Sequence, residues 1–124
     1  MAVVNYRAGP PRRKWVITLL TERVVLGSTG KVRCDVAADS QGLPYDPRSA
    51  TVEFAGMSTY DKPSSGDWKT GSWDVTVIGQ YTAEINPGPG GLDLAVGEYY
   101  LWLRITDPFA DETVIDPPGV LIVQ

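Results

Sequence analysis

A chain of 124 residues is one domain's worth of protein and can bury roughly two-thirds of its unfolded surface without help from a metal or a disulfide. It contains no histidine and a single cysteine, which excludes an intrachain disulfide, Ser-His and Cys-His nucleophiles and most catalytic zinc sites. Gly and Pro together make 13 + 10 = 23 residues, too many for a helical bundle and suited to short strands joined by tight turns, and the net charge of −4 is unevenly spread.

Residues 1–14 hold Arg7, Arg12, Arg13 and Lys14 and no acid. The remaining 110 residues carry 11 − 4 = 7 basic and 15 acidic side chains, hence 7 − 15 = −8. A cationic arm on an anionic body suggests that the arm touches an acidic surface. Within it, Gly9-Pro10-Pro11 blocks helix and central strand. Val3, Val4 and Tyr6 are its apolar contacts, and Asn5-Tyr6-Arg7 could pair as an edge strand on a neighbour. Arg12-Arg13-Lys14 precedes an apolar run that Glu22 and Arg23 end too early for a secretory signal, so none is expected. No run approaches the roughly 20 apolar residues of a membrane span.

From Trp15 to Leu26 the chain is apolar on both faces and reads as two short strands or one bent strand, broken near Thr21-Glu22-Arg23. Lys31 to Ala37 alternates, with Val32, Cys34 and Val36 on one face, so the lone Cys34 reads as a small buried hydrophobe. Residues 39–47 are loop chemistry throughout. Ala50 to Gly56 is a strand with Val52 and Phe54 inward. Ser58 to Gly71 is polar and reads as an exposed excursion. Trp68 within it is either a lid over the core edge or an exposed contact residue. Ser72 to Ile78 and Tyr81 to Ile85 form a hairpin about Gly79-Gln80, with Trp73 on the core face. Asn86-Pro87-Gly88-Pro89-Gly90-Gly91 breaks the pattern.

The clearest strand is Gly97 to Asp107. Tyr99, Leu101, Leu103 and Ile105 share an apolar face, while Tyr100, Trp102, Arg104 and Thr106 share a mixed one on which Trp102 is a second possible surface contact. Thr113-Val114-Ile115 and Val120-Leu121-Ile122-Val123 close the chain, separated by Asp116-Pro117-Pro118-Gly119. About eight short antiparallel strands at intervals of 8–12 residues, with no convincing helix, predict an all-β, immunoglobulin-like β-sandwich over residues 15–124, with residues 1–14 as an extended N-terminal arm.

Chemical motifs are sparse. Gly88-Pro89-Gly90-Gly91 lacks the Lys-Ser/Thr of a phosphate loop. Asp107, Asp111, Glu112 and Asp116 gather at one end of the expected sandwich and could hold calcium, but EF-hand spacing is absent and turn capping by Asp is the preferred reading. No catalytic residue, metal or cofactor is expected.

Three stretches carry a resemblance. Gly42-Leu43-Pro44-Tyr45-Asp46-Pro47 followed by Ala50-Thr51-Val52-Glu53-Phe54 is similar to a D-G-x-P-x-D…A-x-V-x-F segment of small tailed-phage virion proteins. Gly97-x-Tyr99-x-x-Trp102-x-x-Ile105-Thr106-Asp107 resembles their G-x-Y…T-D strand, and Pro118-Gly119-Val120-Leu121-Ile122-Val123 their closing P-x-G-x-L-x-I strand. The chain thus resembles small Ig-like virion proteins of siphovirus-type bacteriophages, and more distantly the N-terminal domain of upper baseplate proteins. It departs from the latter in its basic Pro-rich arm. The resemblance implies a non-enzymatic structural protein, a head decoration or head-to-tail junction, made in the bacterial host cytoplasm and assembled into the virion. It would dock on capsid, neck or tail subunits through Val3, Val4, Tyr6, Arg7, Arg12, Arg13 and Lys14, as part of a symmetric oligomer. The alternatives are a tail or baseplate Ig-like module, or a carbohydrate- or cell-surface-binding module acting through Trp68 and Trp102. Nucleic-acid binding by the arm is opposed by the body charge of −8.

Overall fold

The computed structural model describes residues 2–3, 13–18, 22–25, 30–40, 43–74, 81–108 and 112–124, with side-chain detail over 23–25, 30–37, 46–74, 81–108 and 119–124. The strands are β1 (Ala2–Val3), β2 (Arg13–Thr18), β3 (Glu22–Val24), β4 (Val32–Ser40), β5 (Leu43–Tyr45), β6 (Thr51–Met57), β7 (Lys69–Thr70), β8 (Ser72–Asp74), β9 (Tyr81–Ile85), β10 (Gly97–Asp107) and β11 (Glu112–Val123). One sheet runs β1-β2-β4-β9-β8, with β5 also paired to β4; the other runs β3-β11-β10-β6-β7. Without the short β1, β5 and β7, this is the two-sheet order of an immunoglobulin domain, with a first strand divided between the sheets. The protein is an all-β, Ig-like sandwich.

Alternation builds the core. Val32, Cys34 and Val36 from β4, Val52 and Phe54 from β6, Ala83 and Ile85 from β9, Leu101, Leu103 and Ile105 from β10, and Leu121 and Val123 from β11 are buried between the sheets. Each stands two residues from the next along its strand, as pleated side chains require. Trp73 packs against this core and donates from Nε1 to the Ala50 carbonyl at 3.0 Å. Leu92 plugs one end, held by a loop in which its amide donates to the Asn86 carbonyl at 2.8 Å. Gly91 is obligatory there, because a Cβ would fall 1.9 Å from the Asn86 oxygen.

The divided first strand is real. β2 pairs antiparallel with β4, whereas β3 belongs to the other sheet and pairs parallel with β11 through Glu22↔Leu121, Arg23↔Ile122 and Val24↔Val123. β8 and β9 pair antiparallel as strands of a hairpin do, but in the register Ser72↔Glu84, Trp73↔Ala83 and Asp74↔Thr82, three residues away from the 75↔84 pairing that a two-residue turn at Gly79-Gln80 would set; residues 75–80 lie outside the described residues.

Three expectations need correction. Residues 39–47 are not all loop: β4 continues to Ser40 and β5 folds back on it, with Pro44 opposite Asp39 on an edge where its missing N–H costs nothing. The closing strands are one strand, β11. Leu101 pairs with Gly119 but Leu103 with Asp116, so an extra residue is absorbed at Pro117-Pro118 as a bulge opposite Trp102. The excursion at 58–71 is not wholly exposed, because Pro63 and Trp68 are buried.

Candidate interaction surface

The two outer faces of the sandwich differ in chemistry. On the six-stranded sheet, Glu84 receives Lys31 at 3.2 Å and Arg33 at 3.4 Å, Arg33 also approaches Asp74 at 3.9 Å, and Thr82 donates to Asp35 at 3.1 Å. That face is charged and internally neutralised.

The outer face of the five-stranded sheet is aromatic. Rows across it follow from register: Arg23, Ile122 and Glu98; Val120, Tyr100 and Met57; Trp102 beside Ala55; Arg104 beside Glu53. The loop after β6 folds back over these rows. Asp67 accepts from the Ser64 amide at 2.9 Å and hydroxyl at 2.8 Å, which closes a 3-10 turn over Ser65–Asp67 and delivers Trp68 onto the sheet. The same two hydrogen bonds, backbone first, hold the Asp67 carboxyl below the usual aspartate range. Trp68 is only 9% exposed. The Arg104 guanidinium sits 4.5 Å from its ring centre and donates from Nε to Glu53 at 2.9 Å. Ala55, fully buried yet on the outer face, marks how completely that half is covered.

The other half is open. Tyr60, also from the loop, stands edge-on to Tyr100 with centroids 5.2 Å apart and lies 6.3 Å from Trp102. Tyr60 is 65% exposed, Val120 39% and Tyr100 36%. A groove of about 330 Å³ lies here, lined by Ser58, Glu98, Tyr99, Tyr100 and Val120. Tyr99 is fixed by its hydroxyl, which donates to the Ala95 carbonyl at 2.8 Å. Among the described residues Glu53, Asp46 and Glu84 all have cationic partners, whereas Glu98 has none.

The sequence-predicted site residues fall into three groups. Val3 lies in β1, paired with Lys14, and Arg13 and Lys14 lie in β2, which begins two residues before residue 15, the expected start of the sandwich. The tip of the arm is therefore laid against its own chain. Val4, Tyr6, Arg7 and Arg12 lie outside the described residues. Trp68 is a covering side chain beneath Arg104, not an open ring, and Trp102 is half-buried beneath Tyr60, its Nε1 buried without a hydrogen-bond partner among the described residues. Of the acidic group, Asp111 lies outside the described residues; Asp107 pairs with Glu112, but Asp116 pairs with Leu103, four rungs or about 13 Å along the strand. No cluster of metal-ligating side chains occurs among the described residues.

Comparison adds only a distant likeness. No protein-family model and no curated protein matches the chain. Among solved structures it is similar to AggA, the major subunit of aggregative adherence fimbriae type I of Escherichia coli, at 13% identity and a TM-score of 0.38, over 97% of this chain and 99% of that one. A score that low carries no functional inference.

Tyr60 and the groove were missed by sequence reasoning. Their only sequence signal is an aromatic residue inside a polar loop and a β10 face that mixes rings with charge.

Proposed function

We propose that the protein is a non-enzymatic structural component of a tailed-phage virion, a head-decoration or head-to-tail junction protein that docks on neighbouring subunits through its basic N-terminal segment. The observation that carries this reading is the segregation of charge, set on the fold. The segment with Arg7 and Arg12 is anchored at both ends, by Ala2–Val3 and by Arg13–Lys14, at the rim of one sheet of an otherwise anionic sandwich. An edge strand with a cationic continuation suits attachment to an acidic neighbour. The likeness of residues 42–54, 97–107 and 118–123 to Ig-like virion proteins supports the virion as the setting. Repetition on a symmetric particle would make a modest single-site affinity sufficient.

The test is co-sedimentation with tailed-phage particles that lack the protein. Because β2 begins at Arg13, the appropriate truncation removes residues 1–12 and leaves the strand whole. Full-length chain should pellet with particles. The truncation and the full chain carrying Arg7→Gln and Arg12→Gln should remain in solution while folded by circular dichroism. Normal decoration by both would remove the arm from the mechanism.

A second reading, a glycan-binding module, is favoured by the exposed rings of Tyr60 and Tyr100. Saturable binding on a glycan array, abolished by Tyr100→Ala, would establish it in place of the first.

A further inference from the structure

We infer that the groove over Tyr100 receives the Gly9-Pro10-Pro11-Arg12 portion of the basic segment from a second copy of the chain, with the Arg12 guanidinium held between the Tyr rings and the Glu98 carboxylate. This inference rests on the docking role proposed for that segment, and it names the surface that the segment meets.

Four observations converge. Of the five large apolar side chains exposed among the described residues, Tyr100 and Val120 line this one groove, and a third, Tyr60, stands edge-on to Tyr100 with centroids 5.2 Å apart. Such grouping on a small domain marks a contact surface. Second, two tyrosine rings in edge-to-face contact present π-faces to a cation, and guanidinium groups bind ring faces within about 6 Å of the centroid. Third, Glu98 borders the same space with no cationic partner among the described residues, while Glu53, Asp46 and Glu84 are neutralised. A carboxylate beside stacked rings selects a cation over an anion, and a planar guanidinium can use both at once. Fourth, the chain supplies a fitting ligand. Pro10-Pro11 favours the extended polyproline conformation, which docks into aromatic-lined grooves with little ordering cost, and Arg12 follows directly.

The anchors of the basic segment point to a second copy. β1 and β2 belong to the six-stranded sheet, whereas the groove opens on the outward side of the opposite sheet. A donor from another subunit meets that face without passing round the sandwich. The overall −8 of the body attracts the +4 segment at long range, and the groove fixes where it settles.

The test titrates a fluorescein-labelled peptide of residues 4–14 into the full-length protein and reads anisotropy at low and high salt. Saturable binding that weakens with salt is expected. Glu98→Gln, which keeps the shape and removes the charge, should weaken it about tenfold, and Tyr60→Ala, a change in an exposed loop, by a similar factor. Arg12→Gln in the peptide should match the loss seen with Glu98→Gln, and combining the two should add little, as paired partners require. In sedimentation velocity, Glu98→Gln should also reduce self-association of the full chain. Peptide binding unchanged by Glu98→Gln and Tyr60→Ala would overturn the groove assignment while leaving the docking role of the segment to the particle experiment. No binding of the peptide at all would overturn the inference outright.

Discussion

Arg104 lies with its guanidinium 4.5 Å from the centre of the Trp68 ring, on the outer face of the five-stranded sheet. The same group donates from Nε to Glu53 at 2.9 Å across the β10–β6 pair. A loop residue thus seals a cross-strand ion pair against the sheet. Trp68→Ala should expose that pair together with the buried Ala55 beneath the loop and cost about 3 kcal/mol, measured by chemical denaturation. Arg104→Lys keeps the charge but loses the flat stack, and should cost about 1 kcal/mol.

Trp102 behaves differently, although it occupies the neighbouring row. Its Nε1 is buried without a hydrogen-bond partner among the described residues. An unsatisfied buried donor carries a penalty of about 1–3 kcal/mol, which Trp102→Phe would remove while retaining most of the ring. The two effects should nearly cancel, leaving stability within about 1 kcal/mol of wild type, far from the loss at Trp68.

Gly71 marks the place where the chain leaves one sheet at β7 and enters the other at β8. A Cβ there would lie 2.8 Å from both the Glu84 carbonyl oxygen and the Phe54 ring. Backbone on one side and the core's largest fully buried side chain on the other leave no room to yield. Gly71→Ala should destabilise by about 2 kcal/mol or more in a denaturant titration. Gly66→Ala, which meets nothing within 4 Å, should change stability by less than about 0.5 kcal/mol.

Two carboxyls should titrate below their ordinary range. Asp46 is lowered chiefly by the side-chain hydrogen bonds from Arg48, and Asp67 by the Ser64 amide and then the Ser64 hydroxyl. Because their folded values lie below the unfolded one of about 3.9, each contributes stability that is full above that pH and is lost as pH falls through the folded value. Carbon-detected NMR titration should show the Asp46 midpoint rising in Arg48→Gln. The Asp67 midpoint should rise only part of the way in Ser64→Ala, since the amide donor remains.

The sequence declares its strands wherever one face is buried. Leu101, Leu103 and Ile105 alternate with polar or bulky neighbours because only one side of β10 meets the core, and Val32, Cys34 and Val36 do the same in β4. Period fails where structure does not depend on it. Pro44 and Pro117-Pro118 read as breaks, but an edge strand and a bulge accommodate them. The ambiguity at Trp68 has the same origin: a ring in an aperiodic polar loop carries no direction until Ser64 and Asp67 close the turn that sets it. Tyr60 and Tyr100 come together through tertiary folding alone, so no spacing in the sequence links them.

The parallel pairing of β3 with β11 has a mechanical consequence. Val24 accepts from the Gln124 amide at 2.8 Å just beyond the last paired residues, extending the ladder to the end of β11. Strands that run the same way present opposite ends to a load applied through Glu22 and Val123. Tension between those points slides β3 along β11 and strains their hydrogen bonds together, whereas an antiparallel pair pulled at its open end would unzip one bond at a time. A chain pulled along this axis is therefore braced in shear at the seam where its two sheets meet.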